Sequence, residues 1–359
     1  MTATSSHSNN FDFVRLVAAL CVVVSHQFAL TGHPEPTLFG LHSLGGMGVL
    51  VFFSVSGFLV AQSWDADPHV GRFAARRLLR IWPAFAFVIL LTALVWGPLM
   101  SQLPAREYFA HPLVREYLGS LWLAMRNTLP VHLEGSALPT AVNGPLWTIP
   151  LEVKCYIVLA IMGAAGLLRS RWPAVVLLLA LLLPYAVIEP RGDDLAHTFG
   201  WTIKQRYLLE FGLFFISGVL LHWLRFDDRR AVLRYLAIAW ALAAVAAWAG
   251  RPLLAVWFAL PVCVIALGQA STPGLRAAGR FGDLSYGLYI FAFPVQQTLV
   301  HFLGGRVHWA VLAALVLAVS SALAWASWHG LEKRALRLKP SRPRAQAAAV
   351  DPGCAVISA

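Results

Sequence analysis

From Trp172 to Ile188 the chain reads WPAVVLLLALLLPYAVI, without one Asp, Glu, Lys or Arg. A helix that crosses the hydrocarbon core of a bilayer needs about 20 predominantly apolar residues, and stretches of this kind recur along the whole sequence. Ten stand out, at about 12–31, 46–64, 82–100, 145–169, 172–189, 206–226, 232–249, 252–270, 283–304 and 308–328. Only 13% of the residues are charged and 58% are hydrophobic, whereas ordinary soluble domains carry about 25% charged residues. A water-facing surface cannot be built from so few charges. The expected fold class is an all-α integral membrane protein with about ten transmembrane helices. The stretch 121–133, interrupted by Arg126 and Pro130, is too short to span and is expected at an interface.

Basic residues orient such a chain, because Lys and Arg accumulate in cytoplasmic loops. With the N-terminus in the cytoplasm, 18 of the 28 basic residues fall inside, at 72–80, 169–171, 225–234, 276–280 and 333–344. Eight fall outside, and Arg15 and Lys154 lie within spans. Ten spans then leave both termini cytoplasmic, as expected of a multi-pass protein of the cell (inner, cytoplasmic) membrane. The net charge of +11 is mainly a topology signal with some attraction to the lipid bilayer's anionic headgroups. Basic residues scattered over short loops give no footing for a nucleic-acid partner. The N-terminal residues lack Lys and Arg, so the first span itself is expected to direct insertion rather than a cleaved leader. Cys21, Cys155 and Cys263 fall in spans and Cys354 in the tail, which suggests no disulfide framework. The expected organisation is a short N-terminus (1–11), one transmembrane domain (12–338) and a disordered tail (339–359).

Within the first apolar run, Arg15 and His26 lie eleven residues apart. On an α-helix that spacing leaves them about 20° apart on one face and about 16 Å apart along the axis. An ionisable group at membrane depth costs about 2.5–3.5 kcal/mol on insertion scales and is expected to face a bundle interior or wet cavity. Arg15 alone could snorkel to headgroups, and His26 alone could be a core histidine. Their shared stripe favours a polar passage along the first helix.

Several segments resemble a known pattern. FDFVRLVAALCVVVSH matches D-x-x-R-x-x-A-A-x-x-V-x-x-x-H through Asp12, Arg15, Ala18, Ala19 and His26. In the same order follow GMGVLVFFSVSGFLV, RRLLRIWPAF, NGPLWTIPLEVKCY, FGDLSYGLYIFAFPV and GLEKRALR. Together they resemble the membrane-bound acyltransferase-3 family over residues 11 to about 338. That resemblance implies a helical bundle around a pore. It implies transfer of an acyl group, usually acetyl, from cytoplasmic acyl-CoA to a hydroxyl of a sugar, glycan or other acceptor, without a metal. Two departures stand out: Leu50 occupies the family's acidic position on the second helix, and Ala292 its histidine position on the ninth.

Acyl transfer needs a base for the acceptor hydroxyl and help for the developing oxyanion. His26 suits the base, or an acyl carrier. Arg15 suits a phosphate or oxyanion role, and Asp12 would either steady Arg15 or cap the helix. Arg76, Arg77 and Arg80, with Arg15, are candidates for the CoA phosphates, against the plainer reading that they set topology. Glu152 would orient His26, bind acceptor or pair with a cation. Trp147, Ser285 and Tyr286 are candidate substrate contacts, although tyrosines at interfaces also serve as anchors. Ser56 and Gly57 read as small residues for close helix packing. HWLRFD at 222–227 has a spacing seen in other acyltransferases but no supporting motif. A transporter or flippase of a lipid-linked glycan or small molecule would also show ten spans and intramembrane charges, yet matching duplicated halves are absent from the sequence.

Overall fold

The computed structural model describes residues 9–38, 40–188 and 203–340. Ten helices of 16 residues or more occur among them, one for each expected apolar segment. They are α1 (Phe11–Leu30), α2 (Leu44–Asp65), α3 (Val70–Leu91), α6 (Ile149–Ala164), α7 (Trp172–Ile188), α8 (Ile203–Leu221), α9 (Arg229–Trp248), α10 (Pro252–Gln269), α11 (Leu284–Leu303) and α12 (Trp309–Ser327). Seven are long and apolar enough to cross a membrane, counting the wide-turn continuations that carry α3 to Met100 and α12 to Leu336 and the tight turn Gly144–Thr148 leading into α6. This is a multi-pass architecture. Two short helices, α4 (Ala105–Ala110) and α5 (Pro112–Leu118), and the irregular chain after Trp122 cover one end of the bundle, so 121–133 does not span. Strand among the described residues is confined to a small ribbon in which Thr37–Leu38 pairs antiparallel with His42–Ser43. Of the expected N-terminus (1–11) and tail (339–359), residues 1–8 and 341–359 lie outside the described residues.

The third helix corrects the sequence reading. It starts at Val70, twelve residues before the expected span, and takes Arg72, Arg76, Arg77 and Arg80 onto its first turns. The His69 imidazole accepts a hydrogen bond from the Arg72 amide and caps the new start. One orphan donor of the first turn is thereby satisfied. Asp67, fully buried just before it, accepts hydrogen bonds from Arg72 and Arg76 and fixes the α2–α3 corner.

Packing is tightest where side chains are smallest. At the crossing of α2 and α8, a Cβ on Gly57 would sit 1.9 Å from the Phe215 carbonyl oxygen, and one on Gly218 would sit 2.0 Å from that of Ser54. Close backbone approach of this kind is how membrane helices gain van der Waals contact without a hydrophobic driving force. The packing expected of Gly57 is found. α1 lies against α2 and α11, and α11 against α12. Leu50 is buried in the main apolar cluster, and Ala292 packs with Val23 and Val316. Both departures from the family pattern are therefore absorbed as packing.

Candidate active site

α1, α2, α3, α6 and α11 line a cavity of about 110 Å³ in which a cluster of polar side chains meets apolar walls. Arg15 enters it from α1, Ser56 from α2, Arg77 and Arg80 from α3, and Glu152 and Tyr156 from α6. Ser285, Tyr286 and Tyr289 enter from α11. Arg15, Leu59, Arg77 and Arg80 also line a wider vestibule of about 1000 Å³ at the arginine-rich end of the bundle. Arg280, Lys333 and Lys339 line that vestibule too, against the carboxylates Asp12 and Asp283. Anions approaching this end meet a surplus of positive charge, and a low-dielectric cleft focuses such a field.

Two carboxylate centres order the cavity. Asp283, the cap of α11, accepts from Arg80 and lies 3.1 Å from the Arg15 guanidinium, which also pairs with Asp12. Ser285 Oγ donates to the other Asp283 oxygen at 2.6 Å. Asp12 therefore steadies Arg15 instead of capping α1, whose cap position is Asn10. Arg80 lies 3.7 Å from Glu332 and stacks over the Tyr286 ring, while Tyr286 Oη donates to the Ile81 carbonyl at 2.9 Å. The second centre is Glu152, which accepts from Ser56 Oγ at 2.8 Å and from Tyr156. Arg77 stands over the Tyr156 ring. Ser56 thus does more than pack.

Residues named from the sequence divide in space. Arg15, Arg77, Arg80, Glu152, Ser285 and Tyr286 meet in the cavity, and Asp12 stands in its vestibule. Arg76 turns away into the buried pair with Asp67. Trp147 stacks on Tyr207 and Phe211, their centroids 4.9 and 5.7 Å from its own. His26 is not part of the cavity lining; its ring meets Phe293 edge-on at 5.3 Å. The two are nonetheless close along the bundle, since Tyr289 of the cavity precedes Phe293 by one turn of α11. Tyr289 Oη bonds the Thr148 hydroxyl at 2.6 Å, and both residues line the cavity. His222 of the H-x-x-x-x-D spacing pairs with Asp65 of α2 at 2.6 Å.

Asp283 of the vestibule and Tyr156 of the cavity are residues that sequence reasoning missed. Asp283 had a signal, an acidic residue immediately before an apolar helix with Ser two positions on. Tyr156 lies one turn after Glu152, the spacing at which helical side chains meet.

Comparison with known proteins identifies the chain's relatives. The profile of an acyltransferase domain family, acyltransferase-3, matches residues 8–329. An O-acetyl transferase of Shigella phage Sf6 is 34% identical over 92% of this chain and 96% of its own length. Nodulation protein 10 of Rhizobium leguminosarum bv. viciae is 28% identical over 94% of this chain and 96% of its own. The acyltransferase MdmB of Streptomyces mycarofaciens is 24% identical over 86% of this chain and 84% of its own. No solved structure matches.

Proposed function

Since the chain belongs to the acyltransferase-3 family and is an acyltransferase, we propose that it moves an acetyl group from cytoplasmic acyl-CoA to a hydroxyl of a sugar or surface glycan. The observation that carries this reading is the cation-rich vestibule narrowing past Arg15, Arg77 and Arg80 into the polar cavity. CoA presents a 3′-phosphate and a pyrophosphate, and guanidinium groups bind phosphate through two parallel hydrogen bonds. The thin pantetheine arm then threads along α1 toward His26, about 16 Å beyond Arg15. That separation supports a place for Arg15 at the phosphate end. The O-acetyl transferase activity named for the phage relative supports acetyl as the group moved.

At His26 the acceptor O–H bond breaks, its proton passes to the imidazole, and the hydroxyl oxygen bonds the thioester carbonyl carbon. The tetrahedral oxyanion collapses with cleavage of the C–S bond. The imidazolium returns its proton to the departing sulfur, leaving an ester and the free thiol of CoA. Trp147, held by Tyr207 and Phe211 just before the cavity residue Thr148, is the aromatic contact for the acceptor. Glu152 with Ser56 and Tyr156 holds the middle of the passage polar.

Purified protein tests the reading. His26→Ala is expected to lower turnover by about 10²–10⁴-fold, the share of a positioned base, while donor binding persists. Arg77→Gln and Arg80→Gln are expected to raise the donor KM and leave the acceptor KM unchanged. A folded His26→Ala protein with near-normal transfer would move the base to Glu152.

A further inference from the structure

The turn of α1 that carries His26 also holds a carboxylate that the scheme above does not use. After Leu30 the chain folds back on α1: the Leu44 amide donates to the Pro36 carbonyl at 2.7 Å, and Thr37–Leu38 pairs with His42–Ser43. This return brings the half-buried Glu35 to the last turns of α1, where Ser25 Oγ donates to its Oε2. Ser25 is itself immobilised. It is fully buried, and a Cβ on Gly45 would stand 2.9 Å from its own Cβ, so the first turn of α2 holds it in place. The next residue is His26, so the carboxylate held by Ser25 stands at the turn of α1 that carries the imidazole, close enough to bear on its charge.

On the reading of His26 as the base, we propose that Glu35 is its positioning carboxylate, clamped by Ser25. When the acceptor proton moves to the ring, a positive charge appears in a water-poor setting, and a fixed negative charge nearby stabilises it in the transition state. Glu35 itself exchanges no proton. The charge disappears again when the imidazolium gives its proton to the departing sulfur, so the carboxylate favours the transition state over both ground states.

The test uses the full-length protein purified in detergent or nanodiscs, with acetyl-CoA as donor. Glu35→Gln preserves shape and leaves an amide oxygen for Ser25 while removing the charge. It is expected to lower kcat roughly 10–100-fold, a part of what a general base supplies, with donor KM and Tm unchanged. Glu35→Asp should recover most of the rate. The double variant His26→Ala/Glu35→Gln should be no slower than His26→Ala alone, because the carboxylate acts only through the ring. A Glu35→Gln protein within twofold of wild type, or one whose loss of rate follows a loss of Tm, overturns the assignment. Inactive His26→Ala beside fully active Glu35→Gln refutes Glu35 alone; active, folded His26→Ala refutes the base assignment itself.

Discussion

Arg76 and Arg80 stand one turn apart on α3 and meet different partners. Arg76 is nine-tenths buried against Asp67, whereas Arg80 reaches Asp283 and the cavity. Arg76→Gln is therefore expected to lower Tm with little change in donor KM, the reverse of Arg80→Gln. Parallel KM shifts in both variants would show that Arg76 reaches the donor. Asp67 gives the same corner a pH signature. Hydrogen bonds from Arg72, then from Arg76, hold its carboxyl well below the usual carboxylate range, outweighing burial. A depressed carboxyl contributes stability that is complete above its unfolded pKa of about 3.9 and fades as pH falls below it. Tm of the wild type should exceed that of Asp67→Asn by a constant margin from pH 5 to 8, and the margin should shrink below about pH 4. Arg15→Lys is expected to be defective although it keeps its charge, since an ammonium cannot offer a donor phosphate the paired hydrogen bonds of a planar fork while staying bound to Asp12 and Asp283; donor KM of the purified variant measures this.

Among the elements, the α2–α8 crossing admits nothing larger than glycine. Gly57→Ala should destabilise by about 1–3 kcal/mol, the usual cost of overpacking. Gly330→Ala, whose Cβ would meet nothing within 4 Å, serves as the neutral control in detergent unfolding. The ten helices were legible in the sequence because lipid imposes long apolar runs with few alternatives. The early start of α3 was hidden by its arginines, which read as a cytoplasmic loop. Yet positions 72, 76 and 80 recur every four residues, which is the helical spacing itself. The pairing of Arg15 with Asp12 was legible from their separation of one turn. The bridge from Asp283 to Arg15 and Arg80 was not, because it joins residues more than 200 positions apart that only the packing of α1, α3 and α11 brings together. The return of Glu35 onto α1 depends likewise on a short ribbon and one backbone hydrogen bond, too small a pattern to read from residues 31–43 alone.

For the whole molecule, the vestibule gathers positive charge at one opening. Arg15, Arg77, Arg80, Arg280, Lys333 and Lys339 outnumber Asp12 and Asp283 around one opening, and the same end carries the basic loops. If this end faces the cytoplasm, an impermeant thiol reagent applied outside should label a cysteine placed at 110 and miss one at 71, in a background without Cys354. Donor capture should then be electrostatic. Charges in a focusing cleft raise the encounter rate with an anion, and salt screens that attraction over about 10 Å at 0.1 M. The donor kcat/KM is therefore expected to fall several-fold between 0.05 and 0.5 M salt, whereas the KM of an uncharged acceptor stays constant. Lys339 adds a pH limb to the same quantity. Loss of hydration against the vestibule wall, and then the charges of Arg77, Arg80 and Arg76, press its ammonium down to about 8. Below that pH it carries its charge and adds to the attraction; above it the charge is lost. Donor KM should rise as pH passes upward through about 8, and Lys339→Ala should start from the higher KM and lose that limb. A wild-type donor KM indifferent to both salt and pH would place donor entry elsewhere on the molecule.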